Sequence, residues 1–78
     1  MTTQTPIAVS HPATLDVVAL LSDRTEDRLA RGQVGTVVDA PGDGTVLVEF
    51  SDDEGRAYAV VRCRASDVLV LHYEPEPA

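Results

Sequence analysis

An all-β fold, a small five-stranded antiparallel barrel with disordered tails, is what this sequence predicts. Three observations lead there. Seventy-eight residues hold one domain at most. Twelve valines outnumber the three aromatic residues, a composition that favours strands. Turn-forming Gly, Pro, Asp and Ser then interrupt the apolar runs at short, regular intervals.

Residues 1–14 mix Thr, Gln, Pro6, Ser10 and Pro12 and read as a flexible N-terminal arm. Leu15 to Leu21 is the first strand, because adjacent β-branched Val17 and Val18 in so short a run disfavour a helix. Ser22 to Gly32 is a long charged loop with Leu29 as its one large apolar residue. A helical turn over Thr25–Leu29, N-capped by Thr25, fits within it. Val34 to Asp39 and Thr45 to Phe50 flank Ala40-Pro41-Gly42-Asp43-Gly44, a hairpin signal. In the second arm Val46, Val48 and Phe50 alternate with Thr45, Leu47 and Glu49, so the first set should face the core. After the turn Ser51 to Gly55, the strand Arg56 to Arg64 sets Ala57, Ala59, Val61 and Cys63 on one face and Arg56, Tyr58, Arg62 and Arg64 on the other. A short turn at Ala65 to Asp67 leads into a last strand, Val68 to Tyr73, with Leu69 and Leu71 inward. The expected core is Phe50, Val48, Val37, Ala59, Val61, Leu69 and Leu71, and 74–78 form a flexible acidic, proline-containing tail.

Strand number, the long first loop and the tight later turns describe an SH3-like barrel over 15–73. Closure would bury the apolar face and shorten the edges, while an open antiparallel sheet that dimerises is the rival arrangement. Arg31-Gly32-Gln33-Val34-Gly35-Thr36-Val37-Val38, with Val46 to Phe50 after it, looks like the Gly-x-Val-Gly-Thr-Val hairpin of small SH3-like and KOW-type barrels. The longer set adds Leu15 to Leu21, Asp53-Glu54-Gly55-Arg56-Ala57-Tyr58-Ala59 and Val68 to Tyr73. It resembles DUF4926, an uncharacterised family of short bacterial proteins. The resemblance implies a stand-alone SH3-like barrel in a bacterial cytoplasm and transfers no catalytic motif.

Thirteen acids against six bases, all arginine, give a net charge of −7. Such a chain repels phosphate backbones and anionic membrane surfaces, so neither nucleic acid nor membrane is an expected partner. No run approaches the roughly 18 apolar residues of a membrane helix, and the first residues lack a signal-peptide pattern. With the unpaired Cys63, these features lead us to expect a cytoplasmic protein.

No cofactor, metal or catalytic set is expected. His11 and His72 are far apart in sequence and read as surface residues. Cys63 continues a small-residue face, where a thiol behaves as a buried hydrophobe. Six acids and no base between 39 and 54 match no EF-hand spacing and are met by turn chemistry. The glycines open no helix, as a phosphate loop would require.

What remains is a protein interface. Its candidate residues are the loop bases Arg24 and Arg28, the hairpin acids Asp43, Asp52, Asp53 and Glu54, and the strand residues Arg56, Tyr58 and Arg62, with Tyr73 as a second aromatic anchor. The same arginines also suit an edge strand guarded against strand addition. The expected function is a non-enzymatic protein-interaction module or accessory subunit of a bacterial complex. Its partner is another protein, one encoded nearby, or a second copy joined through an edge strand. An acidic antitoxin- or inhibitor-like partner masking a basic surface is the alternative, and a small subunit of an enzyme stands behind it.

Overall fold

The computed structural model describes residues 11–72, so the expected tails, apart from 11–14, lie outside the described residues, as does Tyr73. Five strands alternate with tight turns: β1 (Val17–Leu20), β2 (Val34–Asp39), β3 (Thr45–Ser51), β4 (Ala57–Arg64) and β5 (Val68–Val70). Two 3₁₀ turns, Thr25–Asp27 and Ala65–Asp67, complete the elements. No helix among the described residues is long and apolar enough to cross a membrane. All pairings are antiparallel, in one sheet of order β4-β3-β2-β1-β5.

The sheet does not close, which corrects the expected barrel. All three residues of β5 pair with β1, through Val18↔Val70, Ala19↔Leu69 and Leu20↔Val68. Its connection to β4 is tied elsewhere: the Ala65 amide donates to the Gly44 carbonyl at 2.8 Å, and the Leu21 amide to the Asp67 carbonyl at 2.9 Å. The 3₁₀ turn therefore carries the chain from one edge strand to the other without a ladder between them. Curvature comes instead from register shifts, one in β2 between Val37 and Asp39 and one where β3 passes from Phe50 to Ser51 against β4. Bulges of this kind raise local twist and bend a sheet towards one face.

That face carries a single core of Val18, Leu20, Leu29, Val37, Val46, Val48, Phe50, Val61, Cys63 and Val68, with Ala40, Ala59 and Val70 packed against it. In β5 the register is one residue away from expectation. Val68 is buried and Leu69 is 53% exposed, so Leu69 is not a core residue, and Leu71 is only half-buried. Four consecutive apolar residues leave the choice of face to the pairing with β1, and that pairing sets Val68 beside buried Leu20.

The first strand is shorter than Leu15 to Leu21. Leu15 has φ 78 and sits in a turn closed by the Asp16 amide on the Ala13 carbonyl at 2.9 Å. Leu21 leaves the ladder for the Asp67 carbonyl. In the long loop Thr25 opens the 3₁₀ turn but does not cap it; Arg24 holds the cap position with no side-chain cap bond. The turn ends at Arg28 in the left-handed region, and reciprocal amide bonds between Arg24 and Leu29, 2.8 and 3.0 Å, fold Leu29 back over the core.

Candidate functional site

β4 is the longest strand, and its outer edge pairs with nothing among the described residues. Alternation sets Val61 and Cys63 inward and leaves Tyr58, Val60, Arg62 and Arg64 exposed. Val60 is 53% and Tyr58 50% exposed, large values for such side chains on a strand. The neighbouring strand places Glu49 opposite Val60, Leu47 opposite Arg62 and Thr45 opposite Arg64. Neither arginine therefore has a carboxylate directly across from it, and among the described residues neither forms an ion pair. Arg62 Nη1 donates to Thr45 Oγ1 at 3.1 Å, and among the described residues Arg64 makes no side-chain hydrogen bond. Tyr58 accepts at its hydroxyl from Gln33 Nε2, which steadies the ring beside the strand.

The hairpin acids are largely occupied by turn formation. Asp43 Oδ1 accepts from the Thr45 amide at 3.0 Å and from Thr45 Oγ1 at 2.6 Å. Chiefly through that hydroxyl, the Asp43 carboxyl is held below its ordinary range. Asp52 Oδ1 accepts from the Glu54 and Arg56 amides at 2.9 and 3.0 Å. Glu54 pairs with Arg56 at 2.9 Å. Asp53 is the one of the four with neither a side-chain hydrogen bond nor an ion pair among the described residues.

In the loop, Arg24 Nε donates to Asp27 Oδ2 at 2.9 Å, and its guanidinium lies 4.0 Å from Glu26. This half-buried group braces the loop and is spent locally, whereas Arg28 is exposed and forms no ion pair among the described residues. The predicted set thus separates. Tyr58 and Arg62 share the β4 face; Arg56 and the acids sit at turns; Arg24 is a loop brace. Val60 was not among the predicted site residues, whereas Arg64 was expected on the outer face of this strand with Arg56, Tyr58 and Arg62. An apolar residue next to the core-facing Val61 carries no outward signal of its own, but the two-residue period through Tyr58 and Arg62 places Val60 on the same face.

Both histidines line one groove of about 670 Å³, together with Pro12, Leu21, Val68 and Leu69. Distance in sequence hid this proximity. Among the described residues no acid or thiol lines the groove with them, and no group of three potential metal ligands exists.

Cys63 is 1% exposed, and its thiol points to the Val61 carbonyl at 3.9 Å. Burial pushes its pKa up, with Arg24 opposing. A thiol reagent is expected to leave the native protein unmodified and to react once denaturant opens the core. Fast labelling without denaturant would place the thiol outside the core. The neutral thiol's contribution to stability is complete below its unfolded-state pKa and is lost as pH rises through the folded-state value, so an alkaline titration of the melting temperature should fall less steeply for Cys63→Ala.

The chain belongs to the family described as Domain of unknown function (DUF4926), whose profile matches residues 14–70, from the turn before β1 to the end of β5. Comparison with curated proteins and with solved structures gave no match.

Proposed function

We propose that this chain is a non-enzymatic protein-interaction module, an accessory subunit of a bacterial cytoplasmic complex, and that β4 is its binding edge. The observation that carries this reading is an eight-residue edge strand whose exposed face sets Tyr58 and Val60 beside Arg62 and Arg64. Unpaired strand edges offer a row of backbone donors and acceptors to another chain. Tyr and Arg are the side chains that most often dominate interface energetics. The net charge of −7 disfavours a phosphate-backbone ligand. Among the described residues, no acid or thiol lines the groove that the two histidines share.

Affinity capture from native extract tests this with four forms of the chain: wild type, Tyr58→Ala, Val60→Asp and Arg28→Ala. Each variant is first checked for an unchanged melting profile. A specific protein should be retained by wild type and Arg28→Ala and lost from both β4 variants, at a cost of about 2 kcal/mol or roughly 30-fold in affinity for Tyr58→Ala. A partner held equally by all four, or micromolar binding of random duplex DNA at physiological salt, overturns the proposal.

A further inference from the structure

We infer that the β4 edge receives an acidic extended segment of a partner protein, added as a sixth strand, with carboxylates against Arg62 and Arg64 and an apolar side chain against Val60. This rests on the interaction-module reading and names the chemistry of the partner.

Strand addition matches side chains in steps of two, because each added residue lies beside one residue of the edge and alternate residues share a face. On the exposed face of β4 the order is Tyr58, Val60, Arg62, Arg64. An antiparallel segment therefore presents two acids at alternate positions and then an apolar residue two further on. Side chains between them fall on the other face, at the rim of the core beside Ala59 and Val61, where small or apolar groups fit.

Charge selects the occupant. Within the sheet the arginines face Leu47 and Thr45; Asp43 acts on Arg62 from the hairpin turn, through Thr45 and without an ion pair, and no acid pairs with Arg64 among the described residues. Arg56, by contrast, already has Glu54. Arginine binds carboxylate in a bidentate fork, which rewards an acid placed directly opposite. A second copy is the wrong partner for the same face. An antiparallel β4 of another chain brings Arg62 and Arg64 to a face that already carries them. Edge charges of this kind exclude like-charged and purely apolar strands while admitting an acidic one.

Three blocked peptides of the same length serve as probes: alternating threonine with two glutamates and a valine at the stated spacing, the same with glutamines, and the same with lysines. They are titrated into the full chain and followed by amide chemical shifts. The glutamate peptide should bind at least tenfold more tightly than the glutamine peptide, and the shifts should concentrate on residues 58–64. Arg62→Glu with Arg64→Glu should abolish that preference and make the lysine peptide the tightest of the three. Arg62→Gln with Arg64→Gln, which leaves the edge uncharged, should bind all three alike. Equal binding of glutamate and glutamine peptides by wild type overturns the inference, as do shifts centred elsewhere or a wild-type chain that self-associates through β4. If the capture experiment still depends on Tyr58 and Val60 while the glutamate peptide shows no preference, the module reading stands and the acidic segment fails. If capture is indifferent to β4, the module reading itself fails.

Discussion

Phe50→Ala is expected to destabilise the domain by about 3–5 kcal/mol. A chain of this size has roughly 4–12 kcal/mol to lose at 0.05–0.15 kcal/mol per residue, so the substitution should remove from about a quarter to all of its stability. Phe50 is fully buried and is the only phenylalanine in the chain. The core it belongs to is mostly valine, with Val18, Val37, Val46 and Val48 fully or almost fully buried, and branched side chains restricted at χ1 refill a cavity poorly. It also sits where β3 shifts register against β4, opposite Ala59, so its loss removes packing at the bend that turns the sheet towards its core. Urea titration followed by circular dichroism measures the effect. A folded variant with an unchanged midpoint would mean that Phe50 is not the centre of this core.

Several features of the fold were readable because one side of a strand met water and the other did not. Val46, Val48 and Phe50 alternate with Thr45, Leu47 and Glu49, and the structure buries the first set. Ala40 to Gly44 carries turn chemistry, with Gly42 and Gly44 both at positive φ, and β2 runs from Val34 to Asp39 as its composition indicated. β5 was not readable in the same way. Val68 to Leu71 is apolar at every position, so no pattern distinguishes its faces, and the choice is made by pairing with β1. Leu29 is a single apolar residue in a charged loop; its burial follows from the backbone bonds between Arg24 and Leu29, which have no sequence period. Barrel closure depended on two edges meeting, and composition does not report how a three-residue connection steers the chain. The same division holds at the candidate site. Tyr58 and Arg62 stand out as polar and aromatic residues of an alternating strand. The Arg24–Asp27 pair that removes Arg24 from the surface follows only from the 3₁₀ turn between them.

Gly35→Ala is expected to destabilise the protein by about 1–3 kcal/mol, against the usual preference for alanine in a strand. Two effects compete here, and magnitude decides between them. Gly35 lies in β2 without a positive φ, so alanine fits the backbone conformation and should gain about 0.5–1 kcal/mol over glycine from reduced unfolded-state freedom. An added Cβ, however, would lie 2.6 Å from Val48 Cγ1, 2.9 Å from the Glu49 carbonyl oxygen and 2.9 Å from Phe50 Cδ1. Val48 is fully buried and its branched side chain has little room to turn; the carbonyl belongs to the β2–β3 ladder, in which Thr36 pairs with Glu49, and cannot move without stretching that pairing. Phe50 cannot yield either, since it is enclosed on every side. The overlap therefore outweighs the entropy gain, and the melting temperature should drop by roughly 4–8 °C for each kcal/mol in a domain of this size. Val48→Ala in the same chain supplies the internal check. It removes the closest of the three contacts, so adding Gly35→Ala to it should cost less than adding it to wild type, yet still cost something because the carbonyl and the ring remain. A Gly35→Ala protein as stable as wild type, or more so, would show that β2 and β3 are not packed this closely at Gly35.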